Sequence, residues 1–311
     1  MPLTSFRNTF AGNPLNRRSD RRVDAEWVAR KLAAPESLAV AVWNGKLLVE
    51  KARDGTQIAY IPAQMADDLA AGPERLLFMG LWNETAVFAI DFEGPVDPCD
   101  GPLTGLGRFE DLRGIALDLP DTEAAIAATA KQMFEWRRRH RFCANCGQPS
   151  EAQDGGWKRK CPACNVEHFP RTDPVVIMLA VHHSAAVGER CMLGRQAAWP
   201  KGMFSALAGF LEPGESIEEA CARELHEEAA LETTSVAYHS TQPWPYPSSL
   251  MIGLIAQVAH DQATPDQTEL SEVRWFTKAE ARDLLAGKLA GASSPGRLAI
   301  AHQLIRAWAE G

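Results

Sequence analysis

The sequence predicts an α/β protein: an α/β sandwich in the C-terminal half, a zinc ribbon before it, and an N-terminal mixed α+β domain. Three observations lead to this prediction. A continuous apolar run at 175–181 begins a series of strands that alternate with helices. Four cysteines form two C-x2-C pairs in the middle of the chain. Short strand-like runs occupy the region before them. We therefore expect domains at 1–140, 141–170 and 171–311.

The N-terminal region is predicted to be rich in strands. The expected strands are 38–43, 46–49, 57–61, 76–79 and 86–91. Asn44-Gly45 and Asp54-Gly55 are turn signals between them. The sequence shows no internal repeat, and a diverged counterpart of the C-terminal domain stays open as an interpretation.

A helix is predicted from Thr122 to Arg139, with Asp121 as its N-terminal cap. Its end is basic, from Arg137 to Arg141. Cations at this end suit the negative pole of the helix dipole, which suffices as a structural explanation. A contact with phosphate or RNA is the less favoured alternative.

The two cysteine pairs predict a structural zinc site. Fourteen residues separate the pairs, and the four expected ligands are Cys143, Cys146, Cys161 and Cys164. Two close pairs on turns can bring four thiolates around one tetrahedral ion. Four protein sulfurs leave no coordination position open, so this zinc should not be catalytic. A redox motif would need one pair beside a βαβ pattern, which is absent.

The stretch 209–231, GFLEPGESIEEACARELHEEAAL, is predicted to contain an acidic helix. Ser216 followed by Glu219 is a capping-box signature, so the helix should begin near Ile217. Residues three and four apart share one helical face, which makes Glu224, Glu227 and Glu228 neighbours.

Carboxylates packed this closely predict a divalent cation. Hard oxygen ligands suit Mg²⁺ or Mn²⁺, which phosphate-bearing substrates usually share. The alternative is a solvated acidic face. It is disfavoured because a glycine, a Pro-Gly pair and an arginine also sit where a loop entering such a helix needs them.

This stretch resembles the Nudix box, G-x5-E-x7-R-E-U-x-E-E-x-G-U, in which U is aliphatic. Gly209, Glu215 and Arg223 occupy its supporting positions. One position departs, because Ala230 stands where the family has a glycine that permits a left-handed turn. Alanine in that conformation costs about 1 kcal/mol, so we expect a different helix end but no lost ligand.

A second stretch narrows the resemblance. Residues 242–249, QPWPYPSS, form a stiff loop whose aromatic rings can stack on a base, although a rigid turn is an equal alternative. The loop resembles the SQPWPFPxS motif of the NADH pyrophosphatases, with Thr241 and Tyr246 as mild departures. That family also carries a four-cysteine ribbon immediately before its Nudix domain. The combination of ribbon, box and loop is more specific than any one of them.

The resemblance implies an αβα Nudix sandwich and a site for two or three Mg²⁺ or Mn²⁺ ions. Its implied ligands are the Ala208 carbonyl, Glu224, Glu227, Glu228 and Glu269. Glu272 competes with Glu269 for the last position. The catalytic residues are expected among Glu224, Glu227 and Glu228, with Glu227 or Glu228 as general base. Arg223 is expected to orient a glutamate, and Glu215 to add a ligand or fix the loop.

The resemblance also implies substrate contacts. The implied residues are Phe169, Gln242, Pro243, Trp244, Pro245, Tyr246, Pro247, Ser248, Ser249 and Ala301. Phe169 replaces a tyrosine of some relatives, and Gly156 replaces a glutamate, so two polar contacts are expected to be missing.

The implied activity is hydrolysis of the pyrophosphate bond of NADH and NAD to AMP and nicotinamide mononucleotide. Removal of NAD caps from RNA is the expected second activity, and a homodimer is expected from the family. The order of preference among NADH, NAD, NADPH and capped RNA stays open. The alternatives are a Nudix hydrolase of other dinucleotides or ADP-ribose, and a nucleotide-sensing regulator that binds DNA through the ribbon.

Composition limits the class of protein. No apolar run approaches the length of a membrane span, and the N-terminus has no apolar signal core, so we expect a cytoplasmic protein without a membrane partner. The net charge of −8 disfavours broad electrostatic binding to nucleic acid, while local basic patches remain compatible with it.

Overall fold

The computed structural model describes residues 8–53, 55–70 and 72–311; residues 1–7 and Asp54 of a predicted turn lie outside the described residues. The chain divides into two compact units. The N-terminal unit comprises residues 9–172 together with 244–248. The C-terminal unit comprises residues 173–243 and 249–311 together with Asn8. Within the described ranges, no helix combines the length and apolar character needed to span a bilayer.

The N-terminal unit is built on a seven-stranded mixed sheet with helices. Its strands are β1 (Leu38–Trp43), β2 (Lys46–Ala52), β3 (Gly55–Ile58), β4 (Ile61–Pro62), β5 (Leu76–Trp82), β6 (Thr85–Phe92) and β7 (Arg108–Glu110). Its helices are α1 (Ala25–Leu32), α2 (Ala63–Ala70), α3 (Leu112–Ile115) and α4 (Asp121–Arg139). The strand order is β3-β2-β1-β6-β5, with β4 paired to β1 and β7 paired to β2. Within the described residues of this sheet, the β1–β6 pair is parallel and the other pairs are antiparallel.

The predicted strands of this unit are present, and the Asn44-Gly45 turn connects β1 to β2. Both turn residues have positive φ, at 50° and 77°, as the twist of a two-residue hairpin requires. The run predicted as one strand at 57–61 is instead divided between β3 and β4. The short helices α1 and α2 were not predicted from the sequence.

Helix α4 begins one residue earlier than predicted. The prediction that Asp121 caps it is wrong, because Pro120 is the cap residue and Asp121 is the first helical residue. Proline has no backbone N–H, but an N-terminal cap residue donates none to the helix, so no helical hydrogen bond is lost. The negative charge of Asp121 in the first turn still favours the positive end of the helix dipole.

The basic end of α4 is occupied by structural contacts. Arg137 is buried and donates to the carbonyl oxygens of Leu76 and Glu74. Arg138 and Arg139 both donate to Glu135. These partners strengthen the structural explanation and weaken the RNA alternative for Arg137, Arg138 and Arg139.

The ribbon follows α4 in the N-terminal unit. Its strands β8 (Glu151–Gln153), β9 (Lys158–Lys160) and β10 (Glu167–His168) form an antiparallel sheet in the order β10-β9-β8. Arg159 on β9 is buried and pairs with Glu74 at 2.7 Å, which ties the ribbon to the segment before β5.

The C-terminal unit is built on a six-stranded sheet. Its strands are β11 (Asp173–Ser184), β12 (Gly188–Gln196), β13 (Leu207–Phe210), β14 (Thr233–Trp244), β15 (Ser249–Val258) and β16 (Leu270–Thr277), although Trp244 itself is grouped with the N-terminal unit. Its helices are α5 (Ile217–Ala229), α6 (Lys278–Leu285) and α7 (Ile300–Glu310). The order is β14-β15-β11-β12-β16, with β13 paired to β11.

Strand β11 explains the sandwich. Ile177 and Leu179 pack in one core cluster with residues of α6 and α7. Val176 and Met178 pack in another cluster with residues of α5. A strand buried on both faces reads as a continuous apolar run, which is the pattern that predicted it.

The two units share their strand pairings. In each sheet a central strand, β1 or β11, pairs antiparallel with the next strand, antiparallel with a short strand, and parallel with a later strand. The short strand is followed by a helix, which is α2 in the first unit and α5 in the second. This correspondence supports the interpretation of the N-terminal region as a diverged counterpart of the C-terminal domain.

Candidate active site

Helix α5 carries the predicted carboxylates, and its N-terminus is capped as the sequence predicts. The Ser216 side chain accepts from Glu219 N, and the Glu219 side chain accepts from Ser216 N. The helix begins at Ile217. It places Glu224 and Glu228 in buried positions and leaves Glu227 more exposed.

The expectation of a different helix end at Ala230 is wrong. Ala230 adopts the left-handed conformation, with φ 54° and ψ 33°, that a glycine would take there. Its N–H bonds to the His226 carbonyl, and Leu231 N bonds to the Leu225 carbonyl. Leu231 is fully buried. Tertiary burial of Leu231 therefore fixes the turn despite the steric cost of the Ala230 Cβ.

Arg223 bridges three acidic side chains in this structure. It forms a two-pronged pair with Glu215, with Nε and Nη2 at 2.6 and 3.0 Å from the carboxylate oxygens. Nη1 donates to Glu224 at 2.8 Å and to Glu227 at 3.0 Å, and Nη2 also donates to the Phe210 carbonyl. These bonds agree with the expected orienting role of Arg223. Glu215 also accepts from Glu212 N, so it fixes the loop before α5.

Gly209 makes room for the Glu224 carboxylate. A Cβ added at Gly209 would lie 1.9 Å from the Glu224 carboxyl carbon, which is far inside contact distance. Gly209 lies on β13, which pairs with β11 through Val176. The glycine of the box is thus needed for the close approach of a carboxylate to the strand, rather than for a positive φ.

Glu228 is the most perturbed carboxylate of the set. It is 5% exposed, and its Oε2 has no hydrogen-bond partner among the described residues. Burial, followed by the charges of Glu224 and Glu269, raises the pKa of Glu228 to about 8. Burial also raises the pKa of Glu224. A buried carboxylate without a partner is the arrangement that a bound cation would satisfy.

Glu269 and Glu272 have different surroundings. The Glu269 charge acts on both Glu224 and Glu228, whereas Glu272 pairs with Arg195 at 3.4 Å. These observations support the choice of Glu269 over Glu272 as the fourth acidic side chain.

Asp266 is a further acidic residue of this region that the sequence prediction missed. Its side chain accepts from the backbone N–H groups of Thr268, Glu269 and Leu270, and so shapes the turn that carries Glu269. Its own N–H bonds to the Glu228 carbonyl. The bond from Thr268 N is that of an Asx turn, and an aspartate in the turn-forming segment before β16 is the signal that could have revealed it.

The carboxylates do not form a closed cage in this structure. Among the described residues, only the four cysteines bring three or more His, Cys, Asp or Glu ligand atoms within 4.8 Å of one another. The acidic set nevertheless fits Mg²⁺ or Mn²⁺ in its chemistry, because it consists of oxygen donors around one unpartnered buried oxygen, Glu228 Oε2. Arg223 bonds to one carboxylate oxygen of Glu224 and one of Glu227, so the second oxygen of each lies outside these bonds.

Gln242 has a structural partner at each end of its amide. Its Nε2 donates to the Leu298 carbonyl, and its Oε1 accepts from Ile300 N at the start of α7. The side chain is fully buried. It therefore positions the segment before Ala301, itself buried, and its expected contact with substrate stays a prediction.

The loop residues Trp244–Ser248 are grouped with the N-terminal unit. The rings of Trp244 and Tyr246 meet edge to face at 5.2 Å, and Phe10 packs against both. The Arg113 guanidinium lies 5.4 Å from the Trp244 ring, and Lys131 Nζ lies 5.5 Å from the Tyr246 ring. Sequence reasoning missed these three neighbours, because no local pattern connects them to a loop more than a hundred residues away.

Other implied substrate residues lie in varied environments. Phe169 follows β10 and is 62% exposed, which leaves its ring accessible for stacking. Ser249 begins β15, and Ser248 is buried. Gly156 has φ 95°, a conformation in which a glutamate would be strained. Its difference from relatives that carry a glutamate there therefore involves the backbone as well as the side chain.

The four cysteines converge as a zinc site requires. Cys143 and Cys164 sulfurs lie 3.6 Å apart, and Cys146 and Cys161 sulfurs lie 3.5 Å apart. Tetrahedral zinc with bonds of about 2.3 Å separates its sulfurs by about 3.8 Å, so the set fits. Each pair sits on a turn closed by a backbone bond, from Gly147 N to the Cys143 carbonyl and from Asn165 N to the Cys161 carbonyl. His168 Nε2 lies 3.3 Å from the Cys143 sulfur, where it can donate to the thiolate.

Comparisons with known proteins agree with this layout. Three family models match consecutive parts of the chain: an NADH pyrophosphatase-like rudimentary NUDIX domain at 36–136, an NADH pyrophosphatase zinc ribbon domain at 138–169, and a NUDIX domain at 174–295. The protein named NAD-capped RNA hydrolase NUDT12 of Homo sapiens is 34% identical over 340 residues, which cover 97% of this chain and 73% of that protein. The chain belongs to the NADH pyrophosphatase family of Nudix hydrolases.

Two further relatives of this Nudix hydrolase carry the same kind of name. The NAD-capped RNA hydrolase NUDT12 of Macaca fascicularis is also 34% identical over 340 residues, covering 97% of this chain and 73% of that protein. The NAD-capped RNA hydrolase NudC of Mycobacterium bovis is 42% identical over 211 residues, covering 64% of each protein. The rudimentary Nudix domain matched at 36–136 explains the shared strand pairings of the two units.

Proposed function

We propose that this Nudix hydrolase cleaves the pyrophosphate bond of NADH and NAD, releasing AMP and nicotinamide mononucleotide, and that it removes NAD caps from RNA by cleaving the same bond. The observation that carries the proposal is the carboxylate set of α5, in which buried Glu228 has an oxygen without a partner. The family's pyrophosphatase chemistry and the names of its relatives support the substrate class.

The residues that would hold the divalent ions are the Ala208 carbonyl, Glu224, Glu227, Glu228 and Glu269. When bound, Mg²⁺ or Mn²⁺ supplies charge neutralisation for the diphosphate and acidifies a water molecule. Arg223 orients the carboxylates of Glu224 and Glu227 by donating to both, and it is itself anchored by Glu215 and the Phe210 carbonyl. Arg223 is thus a positioning residue.

Glu228 is the proposed general base. It is the most buried carboxylate of the set and no protein donor neutralises its Oε2, so it is the side chain best suited to accept the proton of the attacking water. The water oxygen then bonds to one phosphorus while the bridging P–O bond breaks, and the leaving phosphate retains the electron pair. Trp244 and Tyr246 are proposed to bind a base by stacking, with Phe10 holding the two rings in place.

The direct test is Glu228→Gln, which keeps the shape of the side chain but removes its charge and basicity. We expect turnover of NADH to fall by roughly 10²–10⁴-fold while thermal unfolding still shows a folded protein. Glu218→Gln is the matched control, since Glu218 lies on the same helix and is exposed. Wild-type-like turnover by Glu228→Gln would remove the basis of the assignment.

Substrate preference needs a separate assay. Steady-state rates for NADH, NAD-capped RNA, ADP-ribose and a diadenosine polyphosphate should be compared with Mg²⁺ and with Mn²⁺. Faster cleavage of ADP-ribose than of NADH and capped RNA would favour the alternative Nudix hydrolase. Turnover that chelation abolishes would exclude a pure nucleotide sensor. We further propose that the protein is a cytoplasmic homodimer. Light scattering of the purified chain would measure its mass and so test the dimer.

A further inference from the structure

A cavity of about 430 Å³ in the N-terminal unit is not used by the proposed reaction. It lies among the segment before β5, the end of β6, the end of α4 and the start of the ribbon. This volume falls within the range of small-molecule sites, which are about 300–1,000 Å³. Its lining includes a buried carboxylate with an unpaired oxygen, two partly exposed arginines and an exposed aromatic ring.

The buried carboxylate is Asp91, near the end of β6. It is 6% exposed, and its Oδ1 has no hydrogen-bond partner among the described residues. The guanidinium of Arg138, whose charge acts on Asp91, donates its hydrogen bond to Glu135 instead. An unsatisfied buried acceptor costs stability, so its retention in a cavity wall points to a ligand that donates a hydrogen bond.

Two partly exposed arginines, Arg75 and Arg141, line the cavity. Arg75 and Arg141 both pair with one carboxylate, Glu93, at 3.3 and 2.8 Å. Both guanidiniums are partly exposed, at 34% and 54% of their side-chain surface. Two guanidiniums that share one carboxylate keep further N–H donors for a phosphate; of the other glutamates that line the cavity, Glu74 and Glu151, Glu74 is already engaged by Arg159.

The aromatic ring belongs to Phe142, which lines the cavity and is 64% exposed. An exposed phenylalanine offers a flat apolar face to a planar ligand, and protein sites for single-stranded nucleic acid use such rings to stack bases. The acceptor, the two arginines and the ring thus match three features of a nucleotide: the donor groups of its base, its phosphate and the aromatic plane of its base.

We propose that this cavity binds a guanosine nucleotide, with Asp91 accepting from the base, Phe142 stacking on it and Arg75 and Arg141 binding its phosphate. Guanine is chosen because its Watson–Crick edge presents an N–H and an amino group side by side, which suits a carboxylate. The nucleotide can be free or part of an RNA strand, since both present the same groups. The proposal does not depend on the hydrolysis of NADH.

Calorimetric titration of the full zinc-loaded chain with GMP, without divalent metal, tests the proposal. We expect GMP to bind at least about tenfold more tightly than AMP or UMP, because only guanine satisfies a charged acceptor in this way. Added NADH should not displace GMP. Absence of GMP binding, or its displacement by NADH, would overturn the proposal.

Two variants locate the site. Asp91→Asn replaces the acceptor by a group that can also donate, so the affinity for GMP should fall by about tenfold or more. The variant should instead bind xanthosine monophosphate, which carries a carbonyl in place of the guanine amino group. Binding of the xanthine nucleotide would itself show that the variant is folded. Arg141→Gln should weaken GMP, whereas Arg139→Gln should not, because Arg139 is similarly exposed but does not line the cavity.

One further titration distinguishes a free nucleotide from an RNA strand as the ligand. A hexamer of uridines with one guanosine should bind more tightly than GMP if an RNA strand is the ligand, and less tightly if a free nucleotide is. In either case Asp91→Asn should abolish the preference over all-uridine RNA or over UMP, while NADH turnover stays at the wild-type rate. GMP binding that Asp91→Asn and Arg141→Gln leave unchanged would refute the assignment to this cavity.

Discussion

The role of Arg223 leads to the sharpest prediction about the proposed active site, tested by Arg223→Lys. The charge is kept, but lysine lacks the fork that pairs with both oxygens of Glu215 while other N–H groups reach Glu224 and Glu227. Its ammonium cannot replace all these contacts. Hydrogen bonds to charged groups contribute about 1.5–3 kcal/mol each, and Arg223 is only 23% exposed.

The lost positioning of the carboxylates should reduce transition-state stabilisation by the equivalent of one such bond, about 2 kcal/mol. The value of kcat/KM for NADH should then fall roughly 30-fold. Because Arg223 acts through the carboxylates, the Mg²⁺ concentration at half-maximal rate should rise while KM for NADH changes little. Arg274→Lys is a suitable control, since Arg274 forms an exposed pair with Glu280 in the same unit. Rates within twofold of wild type would refute the positioning role. A raised KM for NADH with unchanged metal dependence would show that Arg223 binds substrate instead.

Three further predictions concern stability and the zinc site. Ala230→Gly should stabilise the protein by about 0.5–1 kcal/mol in urea unfolding without altering turnover, because glycine relieves the left-handed strain; destabilisation would contradict this. Burial raises the pKa of Asp91 from 3.8 to about 6, so the folded state binds this proton more tightly, and stability falls as pH rises through that window. Asp91→Asn should therefore be up to about 3 kcal/mol more stable at neutral pH and unchanged below about pH 4, whereas a difference that is independent of pH would argue against this cause. Cys143→Ser should lower zinc content and solubility and reduce activity as a consequence, and full activity in zinc-free protein would contradict a folding role.

The sequence predicted those features that depend on local pattern. Strand β1 occurs at the predicted residues, and the capping box at Ser216 fixes the start of α5. The zinc cysteines could be predicted because their spacing alone constrains a tetrahedral site. In each case the residues that determine the feature lie within a few positions of one another or form a repeated spacing.

Features that depend on distant partners were missed or predicted wrongly. The left-handed conformation of Ala230 follows from the burial of Leu231, which propensity at the helix end does not contain. Gln242 has its amide bonded to residues more than fifty positions away, so the sequence offered it as a free polar group. Asp91 looked like an ordinary residue at a strand end, and only the fold shows that it is buried with an unsatisfied oxygen.

The shared strand pairings of the two units also bear on the history of the chain. Repeated pairings in one polypeptide are the trace that duplication of an ancestral domain leaves after divergence. In the first copy, α2 takes the place of α5, and its only acidic residues are Asp67 and Asp68, with no arginine among them. Selection on that copy was thereby released from metal coordination. One fold thus supplies the reactive carboxylates in one half of the chain, while the other half keeps the strand pairings without the glutamates and arginine of α5.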